Sequence, residues 1–241
     1  MSEQTMERVR SILFAVCISA VCSLAILFVS TSLKVRQEHN LRTDKQKNIL
    51  KAAGLVSGDR SYTAEQIQSL YTENIHTCYV DQDGNTYPDL GKKGKRMRIY
   101  FRIEGEEIVA YIIPIDTKGL WGQILGYLAL EKDGSTIAGF TVYSHSETPG
   151  LGGEIERSWF QKEFVGKKIV NQESAFVSIN IAKGKAPHDV ADHTVDGISG
   201  ATLTGKFLTA GLKRILKAYE PVSVRFRTGG IGKIHPQHQD W

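Results

Sequence analysis

The dominant hydrophobic pattern is an uncharged apolar run near the N-terminus. No charged residue lies between Arg10 and Lys34, and residues 12–29 are apolar apart from two serines. The 23 residues between these charges reach about 34 Å as an α-helix, enough to cross a hydrocarbon core of about 30 Å. The competing interpretations are a cleaved signal peptide, whose apolar region is shorter, and a buried helix of a soluble domain. The pattern favours an uncleaved transmembrane anchor.

Polar residues follow the run without a break in helical character. No Pro occurs between residues 34 and 55, so the anchor helix is expected to continue as a stalk until Ser57-Gly58-Asp59 interrupts it. Thr63 and Gln66 then have the spacing of a capping box, which predicts a short helix through Tyr71.

The middle of the chain is rich in β-branched and aromatic residues, which predicts hairpins. Residues 97–103 and 108–115 flank a turn at Gly105, and residues 124–130 and 136–143 flank Asp133-Gly134. Residues 175–182 alternate between apolar and polar positions, which predicts a further strand.

An amphipathic helix is predicted from Leu203 and is expected to end before Pro221. Hairpins combined with isolated helices indicate an α+β domain with a mainly antiparallel sheet and flanking helices, preceded by a single N-terminal transmembrane helix. The predicted divisions are residues 1–33 (tail and anchor), 34–60 (stalk), 61–222 (ligand-binding domain) and 223–241 (basic tail).

Composition and charge distribution limit the binding partners, the disulfide content and the membrane orientation that the sequence allows. The 241 residues carry 30 Lys+Arg against 26 Asp+Glu, a net charge of +4, which is too mild to indicate nucleic acid. Three cysteines cannot form a disulfide framework, and Cys17 and Cys22 lie inside the apolar run. The segment after the run carries more Lys and Arg than the segment before it, which by the positive-inside rule favours a cytoplasmic domain.

Two glycine-rich segments are candidates for ligand binding. The first, the glycine loop (residues 144–153), follows a predicted strand; it is either a tight loop set by Pro149-Gly150 or a place where backbone amides approach a flat or anionic ligand. The second, the signature segment (residues 196–205), precedes the amphipathic helix. Its hydroxyl residues are either N-caps or part of an anion site at the helix N-terminus. It contains no Lys, which excludes a nucleotide-hydrolysing P-loop.

These segments carry a family resemblance. Asp196-Gly197-Ile198-Ser199-Gly200-Ala201-Thr202 resembles the flavinylation signature of bacterial FMN-binding domains. Glu147-Thr148-Pro149-Gly150-Leu151-Gly152 resembles the flavin-contacting loop of that family, and Lys118-Gly119-Leu120-Trp121-Gly122, here the tryptophan loop, resembles its Gly-Leu-Trp element. With the anchor and the stalk sequence Gln46-Lys47-Asn48-Ile49-Leu50, the chain is similar to the C-subunit family of Na+-translocating NADH:quinone oxidoreductases.

The resemblance implies a covalent FMN cofactor. It implies that a flavin transferase esterifies Thr202 to the FMN phosphate, so Thr202 is a tether and the chain has no catalytic residue of its own. The positions that the resemblance assigns to FMN binding are Thr202, Asp196, Ser199, Gly200, Ala201, Glu147, Thr148, Gly150, Leu151, Leu120 and Trp121.

The resemblance also implies partners and a location. The chain would relay electrons among the membrane and peripheral subunits of a reductase that couples NADH oxidation by ubiquinone to Na+ export. Its domain would lie on the periplasmic side of the bacterial inner membrane, contrary to the charge pattern around the anchor. Two alternatives stay open: the G subunit of an Rnf-type electron transport complex, and a non-redox anchored module that binds a phosphorylated small molecule.

No metal site is predicted. Residues 188–193 hold four potential ligands in six positions, and the favoured interpretation is a solvated loop because this spacing does not impose a fixed geometry. The basic tail is expected to be solvated surface, with lipid head groups or partner subunits as the alternative.

Overall fold

A computed structural model describes residues 3–58, 60–90 and 96–231. The chain divides into two compact units, one up to Thr43 and the other from Asp44 onward. Helix α1 comprises Glu3–Ala52, so its last turns belong to the second unit.

The first unit contains the apolar run. Residues Arg10–Lys34 form a 25-residue helical stretch with a mean hydropathy of 2.9, none of it buried. Its large apolar side chains are exposed, as expected of a helix whose solvent is lipid. Within the described residues this is the one helix long and apolar enough to cross a membrane, as the sequence predicted.

The second unit is built on a six-stranded antiparallel sheet with the order β2-β1-β3-β4-β5-β6. Its strands are β1 (Ile75–Val80), β2 (Thr86–Tyr87), β3 (Met97–Glu104), β4 (Glu107–Lys118), β5 (Gln123–Glu131) and β6 (Ile137–Ser144). A separate parallel pair comprises β7 (Asn180–Ile181) and β8 (Thr194–Val195). The remaining helices are α2 (Ala64–Asn74), α3 (Ser158–Lys162) and α4 (Thr202–Arg227), with 3₁₀ helices at Gly152–Glu156 and His188–His193. The predicted α+β class is confirmed.

Local sequence signals account for the β5–β6 hairpin and for α2. Asp133 closes the β5–β6 turn, since its Oδ1 accepts hydrogen bonds from the backbone amides of Ser135 and Thr136. Thr63 and Gln66 form the predicted capping box at the start of α2, which extends to Asn74.

Each face of the sheet has its own core. On one face, alternate strand residues such as Ile99, Tyr111 and Leu128 are buried with Leu208 and Leu212 of α4. On the other face, the intervening residues are buried with the end of α1 and with α2; they include Tyr100, Ile112, Tyr127, Ile49, Leu50 and Ile67. The second half of the predicted stalk therefore contributes core residues to this unit.

Helix α4 continues past Pro221, whereas the sequence predicted that it ends before this residue. Proline removes one backbone donor from the helix, but the following turns bury Val222 and Phe226. Phe226 stacks on Tyr111 with 4.4 Å between ring centroids. This burial compensates for the lost hydrogen bond. Residues 223–227 of the predicted tail thus lie in α4, and residues 232–241 lie outside the described residues.

The strand predicted over residues 175–182 is wrong in extent. Ser178 has a φ of +71°, which interrupts extended backbone, and only Asn180–Ile181 forms strand β7. The sequence also did not predict β1 or β2, the strands at one side of the sheet.

Helix α4 lies unusually close to β4, which brings its first turns to one end of the sheet. A Cβ built on Gly211 would lie 1.9 Å from Thr117 Oγ1, so only glycine allows this approach. Thr209 Oγ1 accepts a hydrogen bond from the Ile181 amide at 3.0 Å, which ties β7 to the same helix.

Candidate functional site

The signature segment connects β8 to α4. Asp196 Oδ1 accepts a hydrogen bond from the Ala186 amide at 2.8 Å, and the Gly197 amide donates to Gly184 O at 2.7 Å. These bonds fix the start of the segment against the loop before it. Asp196 therefore holds the loop in place through a backbone contact.

The end of the segment forms the N-terminus of α4. Gly200 has a φ of +75°, and Ala201 occupies the N-cap position, where it offers no side-chain hydrogen bond to the helix. Thr202 is the first helical residue and is half-buried, while Ser199 is exposed. Because Ala201 cannot cap the helix, the amides of the first turn are available to an anionic ligand.

The glycine loop follows β6 and folds back on itself. Thr148 O accepts hydrogen bonds from the Leu151 amide at 3.1 Å and the Gly153 amide at 2.9 Å. Thr148 and Gly150 are exposed, and the Leu151 side chain is 43% exposed. The loop therefore presents backbone and the apolar side chain of Leu151 at its surface.

The tryptophan loop joins β4 to β5. A hydrogen bond of 2.6 Å from the Gly119 amide to Gly122 O closes the turn. Leu120 is half-buried, and the Trp121 side chain is 70% exposed. A large exposed aromatic side chain on a tight turn suits contact with a flat ring.

Glu147 joins the three segments. Its carboxylate is buried: Oε1 accepts a hydrogen bond from the Trp121 amide at 3.0 Å, and Oε2 accepts one from Thr204 Oγ1 at 2.5 Å. Its own amide donates to His145 Nδ1 at 3.1 Å. One side chain of the glycine loop therefore contacts both the tryptophan loop and the first turn of α4.

Glycines leave the space that this carboxylate occupies. A Cβ on Gly119 would lie 2.5 Å from Glu147 Oε1, and a Cβ on Gly152 would lie 2.8 Å from Oε2. A Cβ on Gly200 would lie 2.7 Å from Leu151 Cδ2. All three distances are shorter than Cβ contacts in folded proteins. Because Glu147 is buried, its enclosure depends on Gly119 and Gly152, whereas the exposed end of Leu151 could move away from a side chain at position 200.

The structure thus brings most predicted site residues to one end of the sheet. It joins Glu147 to the tryptophan loop and Leu151 to Gly200, whereas Asp196 bonds to the Ala186 amide, outside the three segments. Sequence reasoning missed the roles of Thr204, Gly119 and Gly152; the one available signal was that all three lie inside the motifs. The assignment of these residues to a ligand stays a prediction.

Residues 188–193, for which the sequence favours a solvated loop over a metal site, are mostly exposed and lie outside the three segments. Residues His188–His193 form a 3₁₀ helix, and His193 Nδ1 donates a hydrogen bond to Lys168 O at 2.7 Å. Across the described ranges, no group of three or more His, Cys, Asp or Glu residues is placed to hold a metal ion.

The residues present fit FMN on two counts. The uncapped N-terminus of α4 offers backbone amides and the positive end of the helix dipole to a phosphate. Trp121 and Leu151 offer exposed apolar surface to a ring, and they are connected to that helix through Glu147 and Gly200.

Comparison with known proteins agrees with this geometry. Residues 119–217 match the FMN-binding domain family, a span that includes Leu120, Glu147 and Thr202. The chain is 33% identical to the C subunit of the Na(+)-translocating NADH-quinone reductase of Vibrio anguillarum, over 93% of this chain and 98% of that protein. It is 32% identical to the corresponding C subunit of Yersinia pestis, over 81% and 83% of the two chains.

Solved structures of C subunits have a similar fold. The crystal structure of the Na(+)-translocating NADH-quinone reductase C subunit from Parabacteroides distasonis matches with a TM-score of 0.66 and 29% identity, over 81% of this chain and 97% of that one. The structure of Shewanella oneidensis NqrC, at 24% identity and a TM-score of 0.62, shows the same fold over 78% of this chain and 96% of its own.

Proposed function

The chain belongs to the family of Na(+)-translocating NADH-quinone reductase C subunits, and we propose that it carries FMN as a phosphoester on Thr202 and relays electrons within that reductase. As a family member it is a subunit of an oxidoreductase complex and contains an FMN-binding domain. It holds no complete active site by itself. The covalent bond, the electron relay and the location are the proposed parts.

The observation that carries the proposal is the convergence of three separate segments on the first turn of α4. Thr202 begins this helix, whose N-cap residue supplies no side-chain hydrogen bond. A phosphate esterified to the Thr202 hydroxyl would lie where the amides of the first turn converge. Gly200 and Ala201 precede Thr202 and add little bulk beside it.

Each group of residues has a distinct task in this proposal. Thr202 anchors the phosphate, and the backbone of the α4 N-terminus binds its charge. Trp121 and Leu151 form an apolar wall that orients the ring and excludes water from one side of it. FMN, when bound, supplies the one- and two-electron redox chemistry, and the protein supplies binding, orientation and electrostatics.

At the level of the complex, the chain would pass electrons between other membrane and peripheral subunits during the oxidation of NADH by ubiquinone, coupled to Na+ export. A flavin transferase would attach the FMN. The helix Arg10–Lys34 would anchor the protein in the lipid bilayer of the inner membrane. We place the FMN domain on the periplasmic side, as the family resemblance implies. The charges that flank the anchor favour the opposite side, but long domains are translocated largely regardless of such charges.

These similarities favour this assignment over the Rnf-type G subunit, since the relatives named above are C subunits of the Na+-translocating reductase. A non-redox ligand-binding module would lack a covalent flavin. Co-purification with the other subunits of the Na+-translocating reductase would distinguish a C subunit from an Rnf-type G subunit. Flavin colour that persists after denaturation would distinguish both of these flavoproteins from a non-redox ligand-binding module.

The experiment that tests the proposal is attachment of FMN to variants of the full chain with the flavin transferase present. Thr202→Ala is expected to give folded, colourless protein, and Thr202→Ser to keep partial attachment because a hydroxyl survives. Thr228→Ala, which removes an exposed hydroxyl at the C-terminal end of α4 and outside the three segments, is the matched control and should retain full attachment. Covalent flavin on Thr202→Ala would refute the tether.

A further inference from the structure

The Glu147 carboxylate is enclosed by the tryptophan loop and the first turn of α4. It is 4% exposed, and each of its two oxygens accepts one hydrogen bond from a different element. Glycine is the only residue type that leaves room for it at positions 119 and 152. Such enclosure indicates a side chain that fixes the arrangement of its surroundings.

The two donors lie far apart in the chain. Trp121 is 26 residues before Glu147, and Thr204 is 57 residues after it. A buried carboxylate is costly unless hydrogen bonds satisfy it, so the tryptophan loop and the first turn of α4 are held at the positions that satisfy it. The positive end of the α4 dipole stabilises the same negative charge, because Thr204 lies in the first turn of that helix.

We propose that Glu147 is the positioning residue of the flavin pocket: its carboxylate fixes the loop that bears Trp121 to the helix turn that bears Thr202. The role of this pocket in flavin binding rests on the proposed function. The link itself is a property of the protein without flavin. Its effect is to set the distance between the apolar wall and the tether before FMN is attached.

Two variants break the link from opposite ends. Glu147→Met keeps a side chain of similar length and removes both acceptors. Thr204→Val keeps the shape of the side chain and removes the donor on α4, without touching the bond to Trp121. Their conservative partners are Glu147→Gln, whose amide can accept from the Trp121 amide and donate to Thr204 Oγ1, and Thr204→Ser, which keeps the hydroxyl.

A matched control separates this link from general loosening of α4. Ser223 is a second buried hydroxyl on α4, and its Oγ lies 2.7 Å from the Tyr111 hydroxyl of β4. Ser223→Ala removes a bond between the same helix and the same sheet at the other end of the helix. It should lower the melting temperature without altering the tryptophan loop.

The first measurement is hydrogen–deuterium exchange of full-length protein that was produced in the absence of the flavin transferase. We expect the amides of residues 119–122 to exchange about tenfold faster or more in Glu147→Met and Thr204→Val. Glu147→Gln, Thr204→Ser and Ser223→Ala should exchange like the wild type. Unchanged exchange in Thr204→Val, or equally fast exchange in Ser223→Ala, would overturn the proposal.

The second measurement uses protein that has been exposed to the transferase. Glu147→Met and Thr204→Val should change the visible absorption and circular dichroism of the bound flavin, and the double variant should show no larger change than the greater single one. Additive spectral changes would contradict a shared link. If the wild type gains no flavin at all, the proposed function fails, and the exchange measurement still decides the role of Glu147.

Discussion

Gly200 of the signature segment and Leu151 of the glycine loop lie in direct contact, such that a Cβ on Gly200 would approach Leu151 Cδ2 to 2.7 Å. The two residues come from motifs about 50 positions apart, and their contact brings the glycine loop next to the residues that precede α4. The φ of +75° favours glycine at this position, and a side chain there would also displace the end of the Leu151 side chain.

Gly200→Ala is expected to destabilise the protein and to slow FMN attachment at Thr202. The left-handed backbone costs about 1–2 kcal/mol for a residue with a Cβ, and Leu151 must also move. Gly105→Ala is the control, because Gly105 has a φ of +65° with no atom near its Cβ position and lies in the β3–β4 turn. Thermal melts and attachment rates of both variants check this. Equal losses in the two would show that the Leu151 contact is unimportant.

Trp121→Ala should leave stability nearly unchanged and alter the flavin. The side chain is 70% exposed, so its removal should cost no more than an ordinary surface substitution, within about 0.5 kcal/mol. The flavin ring would lose the apolar surface of Trp121, which should shift both the absorption spectrum and the midpoint potential of the flavin. Trp159→Ala, with a side chain 48% exposed outside the three segments, serves as the control. A lowered melting temperature with an unchanged spectrum would remove Trp121 from the pocket.

Cys78 should react slowly with alkylating agents in the folded protein. Burial in the sheet disfavours the thiolate and raises the pKa of the Cys78 thiol to about 11. Since only the thiolate reacts, a pKa about two above the ordinary value of 9.0 leaves about a hundredfold less reactive form at pH 8. The rate should rise as the pH increases towards 11.

Iodoacetamide labelling followed by mass spectrometry, in a Cys17→Ser and Cys22→Ser background, measures this rate. Denaturant should remove the protection by exposing the thiol. Rapid labelling of the folded protein at pH 8 would mean that Cys78 is accessible, which would contradict its packing against the core of the sheet.

The location of the domain is tested by proteolysis of intact spheroplasts. A protease added outside should cut the second unit, because we place it on the periplasmic side, while a cytoplasmic marker protein stays intact. Protection until lysis would show instead that the Lys and Arg residues after the anchor set the orientation, as the positive-inside rule predicts.

Elements specified by nearby residues were predictable from the sequence. The β5–β6 hairpin follows from Asp133-Gly134, where one carboxylate satisfies the turn amides, and the start of α2 follows from Thr63 and Gln66. In these cases the hydrogen bonds that define the element join residues two or three positions apart.

Elements specified by tertiary contacts were not predictable. Helix α4 passes through Pro221 because Phe226 packs on Tyr111, more than 100 positions earlier in the chain. Likewise, the alternation over residues 175–182 suggested a strand, but Ser178 turns the chain out of extended conformation.

The candidate site shows the same division. The motifs identified the segments, but not the link that Glu147 makes between Trp121 and Thr204, since this link depends on how the sheet and α4 pack. Residue type alone could not distinguish a ring contact from a buried positioning role for Glu147.

The decisive measurement is the mass of the full-length protein before and after exposure to the flavin transferase and its flavin donor. We predict a gain equal to one FMN less one water, retained under denaturing conditions and located by fragmentation on Thr202. An unchanged mass, or a flavin attached at Ser199 or Thr204 instead, would contradict the assignment of Thr202 as the tether.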